Sequence, residues 1–338
     1  MTLLLPILLM APACRDAVET GQTYGDWTVV LGELDAGLIG VWAPADDDVW
    51  AVGADPGDGL GGYVYHFDGS TWERLDTGTT GNFWWVHGDG TGPVWMVGEG
   101  GLVVRWTAET GPVAIPAPAD TNLFGAFALA DDDVWVCGGD NFSQDAKQVL
   151  WHWNGSSWDD PSDVVALRDT DAVLTKIYAR SPTDLWVVGG PDEGLRLEDG
   201  AWRMIDVATD QPLTSVFGND ELVIAVGGGS RGLVVEDDGD GFQEFVLDDA
   251  QPLNGIAVAP DGRAVASGWY GSLHLRDSDG TWSVVDEIEI RHQDFHSTSV
   301  TPTGTVYVTG ALFGVANIYD GILVRGQLLP AASDGDSP

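Results

Sequence analysis

An all-β fold is predicted by three features of the sequence: a short phrase that recurs along the whole chain, 46 glycines against only 10% aromatic residues, and brief strand-like runs closed by turn residues. The phrase is clearest when aligned on its Gly. It reads VWAVG ending at Gly53, VWMVG at Gly98, VWVCG at Gly138, LWVVG at Gly189, VIAVG at Gly227, AVASG at Gly268 and VYVTG at Gly310. Successive copies lie 38 to 51 residues apart. Periods of that size, built from short strands and turns, indicate a seven-bladed β-propeller of four-stranded antiparallel blades, one blade per repeat.

The elements of one repeat can be assigned in order. LIGVWAPA (38–45) is strand a, DDD (46–48) the turn, VWAVG (49–53) strand b, YVYHFDG (63–69) strand c and STWERLD (70–76) strand d. Many strand positions are apolar on both faces, as a blade sandwiched between two neighbours requires. The DDD triplets at 46–48 and 131–133 fit turn chemistry better than a metal site, since Asp bonds readily to its own backbone. DGSTW, NGSSW, DGAW and SDGTW, ending at Trp72, Trp158, Trp202 and Trp282, read as c–d hairpins followed by a core Trp. FWW (83–85) aligns with LIG of strand a and reads as core packing, although such rings could also stack on a sugar.

Near the start, GDWTVV (25–30) resembles the strand d phrase and precedes the first strand a. It is expected to pair with the last blade and close the ring, with ILVRG (322–326) as the alternative occupant of that outer place. The propeller then spans 25–326, leaving a flexible tail at 327–338.

VWVCGG followed by LWHWNGSSW resembles a kelch repeat, while GLVVRW and SLHLRDSDGTW resemble the photosystem II assembly factor-like and Asp-box propellers. The resemblance covers residues 25–326 and is similar to that of predicted surface lipoproteins of myxobacteria. It implies the fold far more than any function.

With 53 acidic against 14 basic residues, nucleic acid and anionic lipid are poor partners, whereas cations and basic protein patches are attracted. A monomer is expected. MTLLLPILLMAPAC carries an apolar stretch too short to span a bilayer, followed by small residues and Cys14. It resembles a bacterial lipoprotein signal over residues 1–14, with lipidation of Cys14, a tether over 15–24 and export to the cell envelope; plain secretion is the alternative.

Candidate chemistry is sparse. His66 and His152 recur at equivalent strand c positions, which indicates packing rather than catalysis. His292, Asp294 and His296 of HQDFH would share one face of a strand, spaced so that at most two could share one ion, and read as a polar loop entering the last blade. EDDGDGFQE (236–244) is the sharpest motif. Glu236, Asp238, Asp240, the Phe242 carbonyl and Glu244 match the alternate spacing of a structural calcium hairpin, with Gly241 at the bend; an acidic turn without an ion is the simpler reading. Two functions remain open. One is a non-enzymatic cell-surface binding or scaffold module that grips a protein or glycan on one face of the disc; the other is a hydrolase or lyase with its site in the central depression.

Overall fold

Each blade begins where a strand a lies against strand a of the next blade, so that the seven a strands ring a central axis. The computed structural model describes residues 20–140, 148–167, 172–191, 193–247, 250–285, 290, 293–314 and 317–328. Strands a are Leu38–Ala45, Phe83–Gly88, Leu123–Ala130, Lys176–Ser181, Leu213–Gly218, Leu253–Val258 and Asp294–Val300. Strands b follow at Asp48–Gly53, Val94–Gly98, Asp133–Gly139, Asp184–Val188, Val223–Gly227, Ala264–Gly268 and Thr305–Phe313. Strands c and d complete each antiparallel sheet in the order a-b-c-d outward.

The last blade closes the ring. Its strand c, Ile318–Gln327, contains the ILVRG segment, and Trp27–Leu34 pairs with it antiparallel as strand d, with Thr28 opposite Arg325. Beyond it Thr23–Tyr24 adds a short fifth strand, inside the stretch the sequence reads as tether. The ends of the chain thus share one sheet, and no open edge is left between first and last blades.

Strands b are buried along almost their whole length, and their side chains form clusters that join neighbouring blades. Val86, Val94 and Met96 of blade 2 pack on Trp50, Val52 and Val64 of blade 1, for example. Each such side chain contributes about 1.5–3 kcal/mol by leaving water. The recurring Gly has a different cause. A methyl carbon at Gly53, Gly98, Gly138, Gly227 or Gly268 would stand 1.9–2.3 Å from the carbonyl oxygen of the residue just before strand a. That carbonyl accepts the N–H of the residue after the Gly, at 2.9–3.0 Å in all five blades. Strand a is bulged at this point in six blades, which draws the two backbones together.

The DDD triplets do sit at the a–b turns, but their carboxylates reach outward rather than back to their own backbone. The first Asp docks the preceding blade, Asp46 on Thr301 and Thr303, Asp131 on Arg105. The second lies against the turn Gly of its own c–d hairpin, Asp47 at Gly69 and Asp132 at Gly155. The third takes the strand c imidazole: His66 Nε2 is 2.9 Å from Asp48 and His152 Nε2 is 2.8 Å from Asp133. Both rings also stack on the strand b Trp of their own blade, Trp50 and Trp135. A buried indole needs a flat partner, and imidazole supplies one with a polar edge left for the carboxylate.

Two sequence expectations change here. The hairpin Trp residues are half-buried rather than core, because strand d is outermost and presents only one face to the preceding blade. Their indoles bridge that gap instead: Trp158 donates to Pro116 O and Trp282 to Glu236, while Trp202 packs edge-on against Trp135. HQDFH is not wholly a loop either, since strand a of the last blade already starts at Asp294 and the His296 ring lies on that of Phe313. His292 lies outside the described residues.

Candidate functional site

The face of the disc that carries the a–b turns and c–d hairpins holds a groove of about 1140 Å³ that runs from the central axis outward between blades 4, 5 and 6. Strand a ends supply an apolar floor, with Phe217, Val258 and Val300 alongside Trp186. Glu198, Asp220, Glu221, Asp237, Asp238 and Asp261 stand against Arg180, Arg196 and Arg276, six carboxylates to three guanidinium groups.

The arginines are already engaged. Arg180 and Arg196 lie over the Trp186 ring, at 4.9 and 4.4 Å from its centre, and both bond to Asp184, while Arg196 also meets Glu198 at 3.0 Å. This is the arrangement of Asp48, Trp50 and His66 with arginine in place of imidazole. Arg276 grips Glu236 with Nε and Nη2 at 2.8–3.1 Å. The surplus is therefore acidic, and the groove is a negative field over an apolar base.

The calcium motif forms the hairpin at one wall. Glu236 is buried, and its carboxylate is taken by Arg276 and by the Trp282 indole N–H at 2.7 Å. Asp237, which the motif does not use, closes the turn by accepting the N–H groups of Gly239 and Gly241. Asp238 and Asp240 are exposed, the Phe242 ring is buried, and Glu244 faces Arg231 at 3.6 Å. Among the described residues no three His, Cys, Asp or Glu side chains gather closely enough to share a metal ion. Cys14 lies outside the described residues, and Cys137 is fully buried in strand b of blade 3.

Sequence reasoning missed Lys176. At the position just after the strand a bulge, where five other blades carry Gly40, Gly125, Ser215, Gly255 and Ser297 and blade 2 carries Trp85, this blade has a lysine that is only 8% exposed. Its Nζ lies 3.3 Å above the Trp85 ring and donates to Phe124 O at 3.0 Å, and burial pushes its pKa down to about 7. Burial likewise pushes His87 to about 3, its Nδ1 accepting the Ala128 N–H. His296 is held near 3 by burial and by the charge of Lys176. The signal was available as a cation where five other blades carry Gly or Ser.

Fold and groove together define a seven-bladed β-propeller with an acid-walled depression on one face. No family model and no curated protein matches the chain. Solved structures do. "YCF48 bound to D1 peptide" is similar over 94% of this chain and 99% of its own, with 16% identity and a TM-score of 0.63. YCF48 from Cyanidioschyzon merolae is similar over 89% of this chain and 99% of its own, with 14% identity and a TM-score of 0.64. The WD40 propeller domain of Doa1 covers 88% and 95%, at 14% identity and a TM-score of 0.63. At such identities the likeness is one of fold.

Proposed function

We propose that this protein is a non-enzymatic binding propeller that holds a basic polypeptide segment in the groove on its a–b face. One observation carries the reading: an apolar floor walled by six carboxylates, of which Glu198 is taken by Arg196 and Asp261 by Arg263, so that Asp220, Glu221, Asp237 and Asp238 carry the surplus charge while the three groove arginines are neutralised internally. An extended segment with Lys or Arg between apolar side chains meets both parts of such a surface. A structure of YCF48 with a bound peptide supports the choice of a polypeptide over a glycan on this fold. Export and lipid attachment at Cys14 would place the groove outside the cell at the envelope, where a monomeric propeller on a tether can reach its partner. Failure of labelled fatty acid to incorporate, or unchanged membrane fractionation of Cys14→Ala, counts against the anchor.

A peptide array tests the groove. Bound peptides should be rich in Lys and Arg, bind less tightly as salt rises, and lose roughly tenfold in affinity to the triple variant Asp220→Asn, Glu221→Gln, Asp238→Asn. Preference for acidic peptides, or an unchanged affinity in that variant, overturns the reading. Convergence of acids and arginines beside the axis is also what a hydrolase or lyase site requires, and turnover of glycosides, esters or polyuronates by the purified protein would establish that alternative.

A further inference from the structure

On the opposite face, the turn after strand b of blade 6 departs from its counterpart in blade 2 at each position that meets solvent. Both turns leave strand b at a Gly in the same extended conformation, Gly98 and Gly268, and continue as one 3₁₀ turn, Glu99–Gly101 and Trp269–Gly271. The middle residue is left-handed in both, Gly100 at φ 62° and Tyr270 at φ 56°. In both, its N–H is accepted by a side chain from the next blade, at or just before its strand a: Asn122 in one, Asp294 in the other. Blade 2 makes this turn with Gly and an amide. Blade 6 has instead placed a bulky aromatic in a conformation that L residues resist, and a carboxylate where an amide would serve.

These changes build a corner. The Trp269 and Tyr270 rings are 40% and 58% exposed and meet at 89°, with centres 6.4 Å apart. Asp294 uses Oδ1 for the Tyr270 N–H and brings its negative charge to the foot of the corner. Asp294 pairs with Ala311, two residues before the exposed Phe313 of blade 7. Two perpendicular aromatic faces attract a cation that carries its charge on methyl groups, and a carboxylate beside them adds to that attraction. The surrounding protein, with a formal charge of −39, rejects an anion.

We propose that Trp269, Tyr270 and Asp294 form a binding site for a small free quaternary ammonium compound, distinct from the groove on the other face. The probes are tetramethylammonium and choline, titrated into the full-length protein by calorimetry, with the neutral isostere 3,3-dimethylbutan-1-ol as control. Saturable binding of both cations is expected, with the alcohol roughly tenfold weaker. Tyr270→Gly restores the blade 2 turn. It should raise the melting temperature by relieving the left-handed strain and yet abolish measurable binding, which separates the site from folding. Asp294→Asn keeps the acceptor, removes the charge and should weaken binding severalfold. No saturable binding of either cation overturns the proposal. So does equal binding of the alcohol, binding unaffected by Tyr270→Gly, or retention on phosphatidylcholine vesicles without binding of free choline.

Discussion

Replacing Gly138 by Ala tests why the repeat carries its Gly. The new methyl carbon would stand 1.9 Å from the Asn122 carbonyl oxygen and 2.9 Å from the Leu123 Cα. Those are backbone atoms, so no side-chain rotation relieves the clash and strands a and b must part. Parting them weakens the bond from the Gly139 N–H to the Asn122 carbonyl, now 3.0 Å, worth about 1 kcal/mol. Overpacking adds about 1–3 kcal/mol, for a loss of about 2–4 kcal/mol. Gly310 is the internal control, because its methyl would lie 2.9 Å from both the Asp294 oxygen and a Phe295 ring carbon. Urea unfolding followed by Trp fluorescence should therefore rank Gly138→Ala well below Gly310→Ala, with both below the parent protein. Equal midpoints for the two variants, or Gly138→Ala within about 0.5 kcal/mol of the parent protein, would refute the close-approach explanation.

Three further outcomes are expected. Because the Lys176 amine has a folded pKa near 7, below its ordinary value of 10.5, the unfolded chain binds more protons between those limits and stability rises with pH across that window; Lys176→Met should flatten that rise in melting temperature between pH 7 and pH 10.5. Glu236→Gln should cost about 3–5 kcal/mol by leaving the Arg276 guanidinium half-satisfied between blades 5 and 6, measured by chemical denaturation. Since Glu236 is committed to that pair, calcium and magnesium at equal ionic strength should shift the melting temperature alike, unchanged in Asp240→Asn; a calcium-specific rise lost in that variant would establish the hairpin of residues 236–244 as a calcium site.

Much of the fold was legible because a propeller repeats its physics. VWAVG recurs since each strand b is buried on both faces, and its Gly recurs since each strand a presses a carbonyl against it. GDWTVV could be placed as a closing strand from its likeness to STWERL. The groove was not legible, because Arg180, Asp220, Asp261 and Pro44 come from four blades and are neighbours only once the ring has closed. DDD was read locally as turn chemistry, and its links to Thr301 and Arg105 of other blades could not be inferred from the triplet. Lys176 and Tyr270 lay between these cases. Lys176 stands where five other blades have Gly or Ser, and Tyr270 where the matching turn of blade 2 has Gly100, so their signal is the exception within a repeat rather than any motif of their own.

Hydrogen exchange on the complex with the tightest-binding array peptide tests the assignment of function to the acid-walled groove most directly. The backbone amides at 217–222, 237–239 and 261–262 belong to its walls, while those at 99–102 and 268–272 belong to the opposite face. Slowed exchange confined to the first set is expected. Slowing confined to the second set, or none at saturating peptide, would contradict it.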